Sequence, residues 1–228
     1  MLKTDYLGIH ERRYKWIKRD GRSGWSNNSA VQTMCNIVEE GQNKLKISRP
    51  GHGKLLELGC GDGSVSLALA RQGFDVSGID IVPMAISWAE EKAQLQSLDL
   101  NFQVGSVLTL PFNDNSFDIV LDADCSHCII GTDRELFFAN AFRVLSKGGL
   151  LVMVALCGEP EPELDRYFDR ESRCLVRNGI VARYLGLPET ICEEVESAGF
   201  HVLDWRIESF ADHHTELIAY FRKSWHEQ

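Results

Sequence analysis

One stretch holds the residues best suited to chemistry, Lys54-Leu-Leu-Glu-Leu-Gly-Cys-Gly-Asp-Gly-Ser64. Gly59, Gly61 and Gly63 let backbone approach a ligand closely, because glycine has no Cβ and tolerates positive φ. Glu57 stands at the mouth of this turn, and a second acid, Asp80, follows 17 residues after Gly63. That distance suits a carboxylate that accepts both hydroxyls of a ribose, since a carboxylate takes two donors at once. The spacing is G-x-G-x-G, not the G-x-G-x-x-G of dinucleotide sites. Glu57 would also repel a pyrophosphate at the helix N-terminus that follows, and instead suits a ligand with cationic groups. Farther on, Asp122-Ala-Asp-Cys-Ser-His-Cys128 gathers acids, thiols and an imidazole. Asp122 and His127 are the candidates for catalysis there, His127 because imidazole titrates near neutral pH. The Cys-x-His-Cys spacing is too tight for an ordinary structural zinc site, so no metal is expected.

These residues need a frame to hold them. Leu55, Leu56 and Leu58 read as a buried strand over 54–58, and Val65, Leu67, Ala68 and Leu69 as a helix from Ser64 that stops at Gly73. A second strand covers 74–79 and ends at Asp80, followed by a helix over 83–97 with Pro83 at its first position. Strands at 100–104, 117–121 and 150–156 come next. Between the last two lies a helix over 133–145, opened by a Thr132/Glu135 capping box and stopped by Lys147-Gly-Gly149. The last strand is apolar on both faces, as a central parallel strand should be. Residues 157–186 break the rhythm and read as an inserted lid, because about 30 residues cannot bury a core of their own. A helix over 188–197 and strands over 202–207 and 215–222 finish the chain. Two helices, 11–18 and 29–45, precede the core. Tyr14 and Trp25 are candidate site-lining aromatics, and His213 is a candidate for the substrate side.

Leu56-Glu-Leu-Gly-Cys-Gly-Asp-Gly63 resembles the first motif of class I S-adenosylmethionine-dependent methyltransferases. Leu110-Pro-Phe112, a polar turn, then Phe117-Asp-Ile-Val120 resembles the same family, in its branch acting on small molecules (methyltransferase type 11/25-like). The resemblance covers about residues 51–156. It implies an α/β fold with a doubly wound seven-stranded sheet, order 3-2-1-4-5-7-6, whose last strand pair is antiparallel. It implies one domain over 1–228: a helical cover at 1–50, the cofactor-binding core at 51–156, the lid at 157–186, and a C-terminal helix and strand pair at 187–228. It implies S-adenosyl-L-methionine as cofactor, held by Glu57, Gly59, Cys60, Gly61, Asp80 and Ile81, with Ser106 and Val107 near adenine and Asp122 facing the methionine end. Many relatives carry an acid at the Ser106 position; here a hydroxyl replaces it. The activity implied is methyl transfer to a small metabolite. The rival readings are a nicotinamide oxidoreductase and an inactive cofactor-binding partner subunit.

The 228 residues are 44% hydrophobic and 25% charged, ordinary for a globular protein. Formal net charge is −9, with +4 in residues 1–24 and −13 in the rest, so an acidic body argues against nucleic acid or anionic membrane as partner. No apolar run reaches the roughly 20 residues of a membrane span. The seven cysteines lack regular spacing, and residues 1–6 lack the apolar segment of a secretory signal. The expectation is a cytoplasmic protein with reduced thiols, monomeric or homodimeric. Asp80→Ala is expected to weaken binding of S-adenosylhomocysteine by about 1–3 kcal/mol in titration calorimetry, the cost of leaving polar partners unpaired.

Overall fold

The structure, a computed structural model, describes residues 3–45, 52–209 and 214–224. In chain order the elements are β1 (Lys3–Thr4), α1 (Tyr6–Arg19), α2 (Asn28–Lys44), β2 (Lys54–Leu58), α3 (Ser64–Arg71), β3 (Asp75–Asp80), α4 (Pro83–Leu95), β4 (Asn101–Val104) and β5 (Phe117–Ala123). A short 3₁₀ turn (Ser126–Cys128), α5 (Asp133–Val144), β6 (Leu145–Leu156), β7 (Phe168–Asp169), β8 (Cys174–Arg177), β9 (Ile180–Tyr184), α6 (Pro188–Ser197), β10 (Phe200–Ser209) and β11 (Thr215–Lys223) follow. The first two helices are capped by side chains: Asp5 accepts from Gly8 N and Asn27 from Ala30 N.

Seven strands form the main sheet in the order β10-β11-β6-β5-β2-β3-β4. Strands β4 to β6 run parallel, and β11 pairs antiparallel with both β6 and β10. This is the doubly wound order implied by the family resemblance. Strand β2 lies at the switch point, with Leu55 paired to Val76 of β3 on one side and Ile119 of β5 on the other. In such sheets the crevice for ligands opens at the carboxyl ends beside the switch.

Period-two alternation sends Leu56 and Leu58 to one face and Leu55 to the other. The first face packs on α5 and α6 through Phe137, Phe138, Val144, Ile191 and Val195. The second packs on α2 and α3 through Ile37, Val38, Val65 and Leu69. With both faces covered, β6 is buried from Leu150 through Ala155. Among the described residues no helix is long and apolar enough to cross a membrane. All seven cysteines are free thiols.

Three local expectations are corrected. Helix α5 ends at Val144 and pairing to β5 starts at Leu145, so Lys147-Gly-Gly149 lies inside β6, not between two elements. The strand bends there. Gly148 sits at φ +74, and a Cβ on Gly149 would come within 2.9 Å of the Asp118 carbonyl oxygen. Thr132 has helical angles (φ −65, ψ −17) and its side chain makes no capping bond, so the capping box does not form. Strand β5 continues to Ala123, which puts Asp122 within the sheet instead of beyond it.

Residues 168–184 form a small second sheet, and its partner is the N-terminus. The order is β1-β9-β8-β7, with Lys3 paired to Ile180 and Thr4 to Val181. Ile130, Cys174 and Val181 bury a small core under it, against Tyr6, Val176 and Tyr184. The N-terminal segment and the insertion are thus one structure.

Leu151→Ala removes a side chain with 0% exposure from the middle of the main sheet. It is expected to lower stability by about 2–5 kcal/mol, read as a lower urea midpoint at unchanged m-value.

Candidate functional site

A cavity of about 690 Å³ opens at the carboxyl ends of β2 to β6. Its floor is the turn after β2. Gly59, Gly61 and Gly63 sit at φ +66, +56 and +72, a region that favours glycine. The turn folds back onto β3: Cys60 N donates to Ile79 O at 3.0 Å, and Gly61 N donates to Asp80 Oδ2 at 3.0 Å. Asp80 Oδ1 accepts from Val82 N at 2.8 Å. Each oxygen keeps a second lone pair for a ligand hydroxyl. Burial raises the Asp80 carboxyl above the usual aspartate range, opposed by those two backbone donors.

Glu57 is 3% exposed yet lines the cavity. It accepts from the Ser66 hydroxyl on α3. Burial, with the negative charges of Asp62 and Asp80 adding, pushes its carboxyl up to about 8. Without a cation beside it, Glu57 is therefore largely protonated at neutral pH. Cys60, Ile81, Ser106 and Val107 also line the cavity. Burial drives the Cys60 thiol well above its ordinary range, so it is not a nucleophile. Ser106 Oγ accepts from Leu108 N at 3.2 Å, which leaves its hydroxyl proton to donate.

Tyr14 from α1 and Trp25 from the loop before α2 form the roof. Their rings pack at 5.3 Å between centroids, and a Cβ on Gly61 would meet Tyr14 Oη at 2.2 Å. Trp25 N donates to Asp62 Oδ2 at 3.3 Å, and Lys92 of α4 pairs with the same carboxylate at 2.6 Å. Asp62 thereby joins the roof to the turn. Sequence reasoning passed over it as part of the glycine motif, since its partner lies 30 residues away in α4.

The far end of the cavity is formed by the loop after β5, by Arg183 of β9, and by His214 and Glu216 of the last strand region. His127 is 4% exposed, and burial lowers its basicity. Its Nδ1 accepts from Leu156 N at 3.4 Å, so the hydrogen-bond network assigns the ring proton to Nε2. Asp122 does not line the cavity, which corrects its expected place beside the ligands. It is 0% exposed, and its Oδ1 accepts from Cys125 N at 2.9 Å and Ser126 N at 3.0 Å. It caps the loop. His213 lies outside the described residues; its neighbour His214 lines the cavity, with Nε2 3.2 Å from Glu216 Oε1.

Asp124, which sequence reasoning did not select, reaches the cavity instead of Asp122. Residues two apart share a strand face, but β5 ends at Ala123, and a left-handed φ of +66 at Asp124 turns the chain out of the sheet. Buried Arg134 holds this loop. Its Nη1 donates to Ser126 O at 2.7 Å and Ile129 O at 3.3 Å, while Nε and Nη2 grip Glu194 Oε2 at 2.8 and 2.6 Å. Tyr6 Oη donates to Asp133 at 2.8 Å and accepts from Ile130 N at 3.1 Å. Among the described residues no group of three or more His, Cys, Asp or Glu is arranged to hold a metal ion.

Residues 56–153 match the family described as "Methyltransferase domain". Norajmaline N-methyltransferase of Rauvolfia serpentina is 33% identical over 125 residues, 54% of this chain and 40% of that protein. The chain spans about two fifths of the length of the first curated relatives it matches. Two solved structures share the fold. The [4+2]-cyclase SpnF superposes with a TM-score of 0.73 at 18% identity, covering 98% of each chain. Burkholderia thailandensis 1,6-didemethyltoxoflavin-N1-methyltransferase, solved with its substrate and S-adenosylhomocysteine, superposes with a TM-score of 0.70 at 20% identity, covering 95% of this chain and 88% of that one.

The residues on the cavity floor fit a ligand with an ammonium near Glu57 and a ribose near Asp80. An ammonium favours the ionised form of Glu57, whose own midpoint is about 8. Binding of S-adenosylhomocysteine is therefore expected to release a proton at neutral pH and to tighten as pH rises toward about 8. Calorimetry in phosphate and in Tris reads the proton directly, and Glu57→Gln is expected to abolish the buffer difference.

Proposed function

We propose that this chain is a class I methyltransferase, a reading supported by its fold and by the match of residues 56–153 to a methyltransferase domain, and that it moves the methyl group of S-adenosylmethionine to a small-molecule acceptor. The observation that carries this reading is the meeting, in one cavity, of two buried carboxyls with a left-handed glycine turn: Glu57 and Asp80 flank Gly59 and Gly61. Bound S-adenosylmethionine supplies an activated methyl on a sulfonium. Glu57 takes the ligand's ammonium, Asp80 takes its ribose hydroxyls, and the backbone of Gly59 to Gly61 lies against it. Ser106 and Val107 flank the adenine, with the Ser106 hydroxyl as donor. A nicotinamide dinucleotide fits less well, because its pyrophosphate would meet Glu57 and the acids around it.

The chain's main contribution to rate is then position and dryness. Aligning two reactants for an in-line displacement supplies several kcal/mol, roughly 7–11 in well-oriented systems. Tyr14 and Trp25 seal the cofactor side from water. The second sheet, built from residues 168–184 and the N-terminal strand, closes the acceptor side and serves as the lid. We read residues 1–228 as one domain, with 1–50 as cover, 51–156 as core, 157–186 as lid and 187–228 as the closing helix and strands. The acidic body favours a small acceptor over nucleic acid. A cytoplasmic protein, monomeric or homodimeric, completes the reading.

Incubating the protein with methyl-labelled S-adenosylmethionine and a metabolite extract tests it. Label in a small-molecule product is the expected outcome. Micromolar binding of S-adenosylhomocysteine with no labelled product would leave a cofactor-binding protein of other function. Binding of NADH without binding of S-adenosylhomocysteine would replace the reading with an oxidoreductase.

A further inference from the structure

We propose that His10 is the general base of methyl transfer, and that the acceptor it serves is a phenol or enol hydroxyl. The proposal rests on the methyl-transfer reading and names the acceptor class for the same cavity.

Tyr6, His10 and Tyr14 stand four residues apart on α1, and all three line the cavity. That spacing puts them on one face of the helix, successive members about 6 Å apart along its axis. The two tyrosines mark the ends of the stripe. Tyr14 packs on Gly61 of the glycine turn, and Tyr6 bonds Ile130 N of the loop after β5. His10 stands between them, midway from the turn to the loop. Its Nδ1 is 2.7 Å from Tyr6 O. A carbonyl only accepts, so Nδ1 carries the ring proton and Nε2 the lone pair. Tyr6 is itself held through Asp133 and Ile130, and the Trp25 ring lies 6.5 Å from the imidazole. His10 Nε2 has no hydrogen-bond partner among the described residues.

The other cavity histidines are less suited. His127 Nδ1 accepts from Leu156 N at 3.4 Å, so its lone pair is spent, and His214 Nε2 is held 3.2 Å from Glu216 Oε1. Burial, with the charge of Arg183 adding, lowers the basicity of His10, opposed by the Tyr6 carbonyl and Asp80. The ring is therefore neutral at physiological pH. The charged groups facing it are Arg183 of β9 and Asp80 of β3, and His127 of the 3₁₀ turn is the other titratable ring in range.

Arg183 points to oxygen as the atom that loses the proton. Strand alternation puts it on the same face of β9 as Val181, which is 1% exposed. Its Nη1 donates to Ala182 O at 2.9 Å, and it forms no ion pair among the described residues. A hydroxyl that loses its proton to His10 becomes negative, and a guanidinium stabilises that charge. A phenol, about as acidic as the tyrosine hydroxyl at about 10, is within reach of an imidazole base. It binds neutral, so the acids that line the cavity do not oppose its entry. An ammonium meets Arg183 as a like charge, and a carboxylate brings no proton for His10 to take.

The step balances. The hydroxyl passes its proton to His10 Nε2, and the O–H electron pair stays on oxygen. A pair on that oxygen forms the O–CH3 bond as the S–CH3 bond breaks, and the electrons of the broken bond stay on sulfur as a neutral thioether. The methyl ether leaves neutral, and the His10 imidazolium returns its proton to water.

The test uses the full chain. Nitrogen NMR with labelled histidine is expected to find the proton of neutral His10 on Nδ1, the signal being identified by its loss in His10→Asn. Asparagine keeps an N–H for Tyr6 O and removes Nε2. The chain is then given methyl-labelled S-adenosylmethionine with phenol, catechol, naphthol or acetylacetone, beside aniline, benzylamine and benzoate. At least one hydroxyl compound is expected to react with a kcat/KM tenfold or more above every amine, and benzoate not at all. For that acceptor His10→Asn is expected to lower kcat at least about 100-fold, while KM and the affinity for S-adenosylhomocysteine stay within threefold of wild type. The acid limb of the wild-type kcat/KM profile is expected below the ordinary imidazole midpoint, and to be absent in His10→Asn. Arg183→Gln is expected to move both that limb and the NMR titration of His10 to higher pH by removing a like charge, a shift that a merely structural role would not produce. A proton on Nε2, an amine within tenfold of the best hydroxyl compound, a smaller loss of kcat in His10→Asn, or an unmoved limb in Arg183→Gln would overturn the proposal. Wild type that binds S-adenosylhomocysteine but labels none of the hydroxyl compounds overturns this proposal alone. Wild type that does not bind S-adenosylhomocysteine overturns the methyl-transfer reading and this proposal with it.

Discussion

The turn from Gly59 to Gly63 is the constraint on which the rest of the molecule depends. Three of its five residues occupy left-handed backbone, and side chains crowd every one of those three positions. A Cβ at Gly59 would meet Cys125 Sγ at 2.7 Å, at Gly61 the Tyr14 hydroxyl at 2.2 Å, and at Gly63 the Ala89 Cβ and Phe102 Cζ at 2.8 Å. Those contacts come from four different elements: the loop after β5, α1, α4 and β4. A side chain on the turn would therefore push apart the roof, the loop after β5 and the flanking helix together. The bond from Gly61 N to Asp80 then ties the turn to β3, so Asp80 and the turn keep one geometry.

Charge is the second theme. The cavity is lined by five acids, Glu57, Asp62, Asp80, Asp124 and Glu216. One acid at the floor, Asp62, is neutralised by Lys92 of the protein itself. Burial moves Glu57 and Asp124 toward their protonated forms. Such a site stores a demand for positive charge that ligands satisfy, and it exchanges protons when they bind. Two backbone N–H groups bond Asp80, whereas Asp124 Oδ1 is buried without a hydrogen-bond partner among the described residues.

The loop after β5 is held from below and above. Arg134 carries two of its carbonyls and a bidentate pair to α6, and its guanidinium stacks 4.3 Å from the Tyr184 ring centroid on β9. Tyr6, two residues after β1, bonds both the loop and α5. Because β1 pairs with β9, displacement of the second sheet would carry β1 with it. Resemblance to the cyclase SpnF at 98% coverage shows how little the frame alone dictates chemistry; the acids and this loop carry that information.

Much of this was legible in the sequence, for local reasons. Strand β2, the glycine turn, Asp80 and helix α6 follow from period-two or helical apolar spacing and from glycine and proline chemistry, which act over a few residues. The order of the main sheet followed from the family resemblance that those motifs carry. What the sequence could not supply were relations between distant residues. Lys3 meets Ile180, Arg134 meets Glu194, and Lys92 meets Asp62 only after the chain has packed. The same is true of Asp122 and Asp124. Both are aspartates two residues apart, and nothing local says which is buried. Strand β5 runs on to Ala123, seals Asp122 under the loop, and lets the left-handed turn at Asp124 present the other acid to the cavity. Residue type set the available chemistry; long-range packing decided which copy of it faces the ligands.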